Sequence, residues 1–132
     1  MKYAIFGDIH ANLEAFEAVL ADAEQQSCTD YVCTGDIVGY AADPNECLRI
    51  VRDMKCPVVK GNHDEEAILN TSLEGLNPLA KQAMEWTRAQ LNEDERDFLT
   101  NMKLVRQVAD FTIVHATLDT AGSWTYVTNK FD

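Results

Sequence analysis

Short apolar runs alternate with amphipathic segments through the first half of this chain. The runs at residues 2–6, 30–34 and 57–60 have the length of strands. Between them, apolar side chains recur at helical spacing over residues 13–25 and 44–54. An order of strand, helix, strand, helix, strand predicts an α/β fold in which a parallel sheet is joined by right-handed crossovers.

Polar residues mark where these two helices begin. Asn12 is a favourable N-cap for the first helix, whose apolar positions start at Leu13. Asp43 precedes Pro44, and Glu46 follows three residues after the cap, which is typical of the first turn of a helix. The pattern therefore predicts helix starts at both positions.

The second half of the chain predicts three more helices and a hairpin. Leu79, Ala83, Trp86 and Gln90 lie on one side of the longest of these helices. Residues 116–132 show no clear periodicity, and the whole chain, residues 1–132, is interpreted as one domain. The predicted elements are a short helix after Gly61 ending near Leu69, a helix from Asn77-Pro78 to Leu91, a helix from the capping box Asn92–Glu95 to Met102, and strands at 104–108 and 111–115.

Composition narrows the functional classes. The chain has 132 residues and a net charge of −11, which argues against a nucleic-acid surface because phosphates need a basic patch. Its four cysteines form no Cys-x-x-Cys motif and are interpreted as reduced, structural thiols. Met1 is followed at once by strand residues, and no apolar stretch reaches about 18–20 residues. We therefore predict a cytoplasmic protein without a signal peptide or membrane span.

Glycine followed by a polar residue ends each of the three strands of the predicted parallel sheet. The carboxyl ends of parallel strands lie at one edge of a sheet, so these polar residues are expected to meet. The chain has three histidines, and all of them lie at strand ends. The four segments concerned are Gly7-Asp8-Ile9-His10, Gly35-Asp36, Gly61-Asn62-His63-Asp64, and His115 after Phe111–Val114.

The donor atoms at these strand ends suit transition metals. Mixed carboxylate and imidazole ligation favours manganese, iron or zinc over calcium, which takes oxygen ligands. We predict two divalent ions, with manganese favoured. Two ions about 3.5–4 Å apart clamp a phosphate ester and lower the pKa of a bridging water, whose hydroxide attacks phosphorus. His63 is then a suitable general acid for the leaving group, and Asp64 is expected to orient it or to support the ligands from behind.

The chain resembles calcineurin-like metallophosphoesterases, whose motifs run Asp-x-His, Gly-Asp-x-x-Gly, Gly-Asn-His-Asp/Glu and a strand-end histidine. The resemblance covers the whole chain and implies a metallophosphoesterase-like α/β sandwich. Protein serine/threonine phosphatases of this superfamily carry Asp-Arg where this chain has Gly39-Tyr40. It is therefore more similar to the small bacterial phosphodiesterase branch, which is grouped with diadenosine tetraphosphatase-like proteins. The matching residues are Asp8 and His10, Gly35 to Gly39, Gly61 to Asp64, and His115.

The resemblance also implies a role for each matching side chain. Asp36 would bridge the two metal ions. Asp8 and His10 would bind one ion, whereas Asn62 and His115 would bind the other. His63 would act on the phosphate or the leaving group, and Asn62 would join it in contacting the phosphate.

The last motif of the family, Gly-His-x-His, is absent, because no histidine follows His115. In the family these histidines complete the two metal shells, so we expect weakened metal binding and a chain that is C-terminally truncated relative to the family. The hairpin at 104–115 would begin a second sheet and expose an apolar face and an unpaired edge. A homodimer that covers this edge is the alternative arrangement.

Two functions from different classes remain. The first is a metal-dependent phosphoesterase that hydrolyses a small phosphomonoester, phosphodiester or nucleotide. The second is a truncated, non-catalytic metal-binding or interaction domain of the same fold. A phospho-binding response domain is a third, weaker interpretation, because it gives no reason for three histidines at strand ends. Manganese-dependent turnover distinguishes the first two.

Overall fold

The elements of the chain lie close to their predicted bounds. The structure is a computed structural model and describes residues 1–130. None of the helices in this part of the chain has the length and apolar character needed to cross a bilayer. The elements are β1 (Tyr3–Phe6), α1 (Leu13–Gln25), β2 (Asp30–Cys33), α2 (Pro44–Met54), α3 (Asn62–Ile68), α4 (Pro78–Gln90), α5 (Glu93–Asn101), β3 (Val105–Val108), β4 (Phe111–Val114) and a 3₁₀ turn at Ala121–Ser123.

The first sheet is parallel, as predicted, but its third segment is not a regular strand. β1 pairs with β2 in parallel, with Phe6 opposite Cys33. The predicted strand at 57–60 forms two isolated bridges, from Val58 to Cys33 and from Val59 to Lys103. The segment thus changes its pairing partner from one residue to the next, so no continuous ladder develops on either side.

The hairpin begins a second layer. β3 and β4 pair antiparallel, with Val105 opposite Val114. Val108 and Ile113 pack against Val32 and Val59 of the first layer in one buried cluster. A second cluster holds Phe16 of α1, Cys47, Leu48 and Val51 of α2, Met84 of α4 and Leu99 of α5. The predicted α/β layered class is confirmed.

Helix caps form largely as the sequence indicates. Asn12 Oδ1 accepts the Ala15 N–H at 3.1 Å. In the capping box before α5, Asn92 Oδ1 accepts the Glu95 N–H, and Glu95 Oε2 accepts the Asn92 N–H, both at 2.9 Å. Asp43 makes no side-chain cap hydrogen bond, so α2 begins at the fixed backbone angle of Pro44 alone.

The side of α4 that carries Leu79 and Trp86 is not its buried side. Leu79 is 79% exposed and Trp86 is 42% exposed, whereas Met84 and Thr87 are buried. Met84 belongs to the main core cluster, and Thr87 Oγ1 donates to the Ala83 carbonyl at 2.8 Å. The helix is therefore oriented by the packing of Met84 into the core, and not by its larger apolar side chains Leu79 and Trp86.

All four cysteines are free thiols, in agreement with the sequence. Cys33 lies in β2 and Cys47 on the inner face of α2, and both are buried. Burial raises the pKa of the Cys47 thiol to about 12 and raises that of Cys33 further. These two thiols pack as small apolar groups.

Candidate metal centre

The four predicted segments converge on one carboxylate. Asp36 Oδ2 lies 2.9 Å from His63 Nδ1, 3.4 Å from His115 Nε2 and 3.5 Å from His10 Nε2. Asp36 itself is only 3% exposed. All three histidines of the chain therefore surround one buried carboxyl group, which is the convergence expected at the edge of a parallel sheet.

Two groups of ligand atoms share this carboxylate. One is formed by His10, Asp36 and His63, and the other by Asp8, Asp36 and His115; within each group all the atoms lie within 4.8 Å of one another. Asp36 thus belongs to both groups. The pairing differs from the one implied by the family resemblance, because His115 is grouped with Asp8 and His10 with His63.

Asn62 lies next to His115, as the resemblance implies. Its Oδ1 is 3.0 Å from His115 Nε2, and that nitrogen also faces Asp36 Oδ2. The other ring nitrogen, Nδ1, donates to the Thr34 carbonyl at 2.8 Å. The three oxygen atoms that face the His115 ring nitrogens are all placed as acceptors, so without a metal this geometry favours protons on both nitrogens. A cation bound at Nε2 would replace one of these protons.

The protonation of His115 agrees with this geometry. Its hydrogen bond to Asp36 raises the pKa of the imidazole to about 9. Burial would raise the pKa of Asp36, but hydrogen bonds from His115 and His63 outweigh it and hold this pKa well below its usual range. The metal-free site is therefore a carboxylate held by imidazolium, and metal binding must displace protons from it.

His10 is oriented in the same way as His115. Its Nδ1 lies 3.1 Å from the Val38 carbonyl, which can only accept a hydrogen bond, so this nitrogen carries the proton. The other ring nitrogen, Nε2, then faces the Asp36 carboxylate, 3.5 Å from Oδ2. A backbone carbonyl behind a ligating histidine fixes its tautomer and ring orientation, which is the usual support for a metal ligand.

Asp64 supports the loop that carries Asp36, and its hydrogen bonds run to the backbone. Asp64 is fully buried. Its Oδ2 accepts the N–H groups of Asp36 at 2.8 Å and Gly61 at 2.9 Å, and its Oδ1 accepts those of Ile37 at 2.9 Å and Val38 at 3.3 Å. Of the two roles predicted for Asp64, this geometry favours indirect support of the ligands over orientation of His63.

The glycines allow the segments to approach each other. A Cβ on Gly61 would lie 2.0 Å from Asp36 Oδ1, and a Cβ on Gly35 would lie 2.6 Å from the Val59 carbonyl oxygen. Gly35 also has a φ of +95°, in the region that favours glycine. A sharp turn is therefore required at Gly35, whereas Gly61 is required for close contact alone.

Five residues with side chains adopt the left-handed backbone conformation around the site. They belong to the two loops that follow β1 and β2. Such backbone costs energy and clusters at functional sites, where the surrounding contacts hold it. The residues and their φ angles are Asp8 at 50°, His10 at 47°, Ala11 at 58°, Asp36 at 56° and Tyr40 at 65°.

Two aromatic residues, Tyr40 and Trp124, border the site, although the sequence motifs did not include them. The Tyr40 ring lies 4.8 Å from the rings of both His10 and His63. Trp124 lies 6.0 Å from the His115 ring, and its Nε1 donates to Glu65 Oε2 at 3.0 Å. Tyr40 could have been noticed because it follows the Gly-Asp-x-x-Gly motif. Nothing in the sequence around Trp124 indicated a role at the site.

Comparison with known proteins identifies a family and several similar proteins. The sequence matches the family described as calcineurin-like phosphoesterase over residues 1–130. It is 40% identical over 102 residues to the uncharacterised protein MJ0912 of Methanocaldococcus jannaschii, covering 77% of this chain and 42% of that protein. The crystal structure of a metallophosphoesterase from Sphaerobacter thermophilus has a TM-score of 0.83 and 38% identity, covering 98% of this chain and 52% of that one.

The chain belongs to the calcineurin-like phosphoesterase family, and its site holds His and Asp groups able to bind a metal ion. The resemblance drawn from the motifs is thus confirmed. A protein provisionally assigned as a diadenosine tetraphosphatase has a TM-score of 0.66 over 88% of this chain and 50% of its own, and at 20% identity it shows the fold alone. The chain spans about half the length of the relatives compared.

Proposed function

We propose that this chain carries the catalytic centre of a metal-dependent phosphoesterase that hydrolyses small phosphomonoesters, phosphodiesters or nucleotides. One observation carries the proposal most directly: the buried carboxylate of Asp36 is shared by two groups of ligand atoms. A single carboxylate between two such groups is the arrangement that a pair of cations requires. Membership of the phosphoesterase family supports the reaction class.

The residues of the site fit two divalent cations. Asp36 would bridge them, and the family resemblance would place Asp8 and His10 on one ion and Asn62 and His115 on the other. The structure instead groups Asp8 with His115 and His10 with His63, so this pairing of ligands comes from the resemblance and only the shared Asp36 comes from the geometry. The acceptor atoms that converge around His115 Nε2 support this assignment, because only a proton or a cation can occupy the space between them. When bound, manganese, iron or zinc ions would activate water and stabilise charge on the phosphate, and the mixed nitrogen and oxygen donors favour manganese.

His63 is suited to deliver a proton to the leaving group. Its Nδ1 lies 2.9 Å from Asp36 Oδ2, and its backbone N–H donates to Asp36 Oδ1 at 2.9 Å. The His63 ring is thus oriented by a hydrogen bond from Nδ1 to the Asp36 carboxylate. The other ring nitrogen, Nε2, would carry the proton that is transferred to the leaving group. Asn62 presents its Oδ1 to His115, so its amide Nδ2 is available to donate to a phosphate oxygen.

A turnover assay with manganese tests the proposal. The purified chain is incubated with Mn²⁺ and bis(p-nitrophenyl) phosphate, beside Asp36→Asn, His63→Ala and, as a control, Asp119→Asn at an exposed position. We expect manganese-stimulated release of p-nitrophenol that Asp36→Asn and His63→Ala abolish and Asp119→Asn leaves intact.

Elemental analysis of the same samples separates the two candidate functions. Bound manganese without turnover in the parent chain would replace the enzyme proposal by the metal-binding domain of the same fold. Turnover that survives Asp36→Asn would refute the site assignment.

A further inference from the structure

A small cavity opens beside the predicted general acid. Its volume is about 180 Å³, below the ~300–1,000 Å³ of pockets that enclose drug-sized ligands, so it suits one ring rather than a dinucleotide. Asn62 and His63 line it on the side of the metal centre. The rest of its wall consists of Tyr40, Glu66, Leu76, Ala80, Met84 and Trp124.

Tyr40 is held at the entrance of this cavity by the site itself. Its ring contacts the imidazoles of His10 and His63, yet 57% of the residue is exposed. The left-handed backbone of Tyr40 is rare for a bulky residue. Gly39 leaves room for this packing, because a Cβ there would lie 3.1 Å from the His63 ring. The strained backbone thus places an aromatic ring beside the imidazole that would deliver the proton.

Trp124 forms another wall of the cavity. Its indole N–H is held by Glu65 of α3, and its backbone is also left-handed, with φ of 56°. Leu76, Ala80 and Met84 line the cavity between the aromatic residues with apolar surface. Aromatic and aliphatic walls of this kind bind a flat apolar group by stacking and burial.

The charge of the lining away from the metal centre disfavours a leaving group that carries further phosphates. Glu66 is the one titratable carboxyl group among the described residues of the lining, and neither lysine nor arginine is present there. Arg88 lies 3.6 Å from the Glu66 carboxylate, but its guanidinium is directed to backbone carbonyls of Glu66 and Thr71. A leaving group that carries further phosphates would meet the Glu66 carboxylate, which is paired with Arg88, and would find no lysine or arginine in the lining to pair with its own charge.

We propose that this cavity binds the leaving group of the substrate and selects an uncharged aromatic ring over an alkyl or phosphate-bearing group. The inference rests on the proposed function, in which His63 faces the leaving-group oxygen. In that reaction the bond from phosphorus to this oxygen breaks, a bond from phosphorus to a water oxygen forms, and His63 gives its proton to the departing aryl oxygen. The proton released by the attacking water passes to solvent, from which His63 is protonated again. Tyr40 and Trp124 would position the ring.

Binding of phosphonates tests the cavity apart from catalysis. Phenylphosphonate and methylphosphonate share the anionic head and differ only in the ring, and their carbon–phosphorus bonds resist this hydrolysis. The chain has two tryptophans, so in a Trp86→Phe background the fluorescence reports Trp124 alone. With Mn²⁺ present, we expect phenylphosphonate to quench this signal and to bind roughly 2- to 12-fold more tightly than methylphosphonate, the range of a stacking contact.

Variants of Tyr40 identify the wall responsible. Tyr40→Ala should remove most of the preference for phenylphosphonate, whereas Tyr40→Phe should retain it, since the ring and not the hydroxyl makes the contact. Val19→Ala, at an exposed apolar position on α1, is the matched control and should change neither affinity. In turnover, Tyr40→Ala should raise KM for aryl phosphates more than for alkyl phosphates.

Two results would overturn the inference in distinguishable ways. Equal affinity for the two phosphonates, together with manganese-dependent turnover, would refute the aromatic cavity and leave the proposed function standing. Failure to bind either phosphonate, together with absence of turnover, would refute the proposed function and the inference that rests on it.

Discussion

Replacement of Asp64 by alanine should destabilise the chain strongly, although Asp64 is not a predicted metal ligand. The buried carboxylate accepts four backbone N–H groups, and two of them belong to Asp36 and Gly61. These hydrogen bonds join the loop after β2 to the first turn of α3. Without the carboxylate, the four donors lose their acceptor in the interior, where water does not replace it.

The magnitude follows from the number of donors. Each buried N–H left unpaired costs about 1–3 kcal/mol, so the four together cost roughly 4–12 kcal/mol. Burial of the carboxylate raises the pKa of Asp64 to about 6, so relief of the desolvation of this charge offsets part of the loss in the alanine variant. The remainder is several kcal/mol, a large share of the ~5–15 kcal/mol stability of a typical domain.

Urea unfolding in the presence of EDTA measures this loss without a contribution from bound metal. Asp64→Asn retains one oxygen, so it should keep acceptors for two of the four N–H groups and show an intermediate loss if the alanine variant does not fold. Asp97→Asn, at an exposed position of α5, is the control and should stay within about 0.5 kcal/mol of the parent. If Asp64→Ala lowers the free energy of unfolding by less than about 1 kcal/mol, the assigned role of the carboxylate is wrong.

Three further predictions follow from the geometry. Gly39→Ala should lower the free energy of unfolding by about 1–2 kcal/mol, because Gly39 has a φ of +98°, and its new Cβ should displace the His63 ring. Turnover should then fall while manganese content stays normal, and unchanged turnover would contradict this prediction. Cys33 and Cys47 should resist thiol reagents until the chain unfolds; labelling of all four thiols in the native state would disprove their burial. In EDTA, the free energy of unfolding should fall as the pH rises from about 7 to 10, because the His115 imidazolium, whose pKa is raised to about 9 in the folded chain, loses its stabilising charge. A free energy of unfolding that does not change over this pH range would refute this role of His115.

The pattern of neighbouring residues was sufficient to predict the helices and most strands, and to select the residues proposed as metal ligands. Apolar periodicity together with helix-start signals located the five helices, and the Asn12 cap and the capping box at Asn92 form as the residue types indicate. The strand ends identified the acidic and imidazole side chains because alternating strands and helices force a parallel sheet, and a parallel sheet brings its carboxyl ends to one edge. These features depend on neighbours in sequence and on a topological rule.

The arrangement of those ligands depended on contacts between distant segments. Sequence motifs did not indicate that Asp64 hydrogen-bonds backbone N–H groups, since its partners at Asp36 and Val38 lie 28 and 26 residues away. The apolar side of α4 is exposed because the core is already filled by Met84 and its neighbours. The segment around Val58 forms only isolated bridges, because Val58 pairs with Cys33 of β2 whereas the next residue, Val59, pairs with Lys103.

The sequence by itself determined the class of fold, the order of the elements and the residues able to bind metal. Only the tertiary structure decided that one buried carboxylate, Asp36, joins the three histidines, and that Tyr40 and Trp124 enclose a cavity beside them. Helix and strand preferences arise from residues a few positions apart, which a sequence displays directly. A site is formed by side chains that are distant in sequence and come into contact in the fold, as Trp124 and Glu65 do although they are 59 residues apart. Such contacts cannot be predicted from the pattern of neighbouring residues.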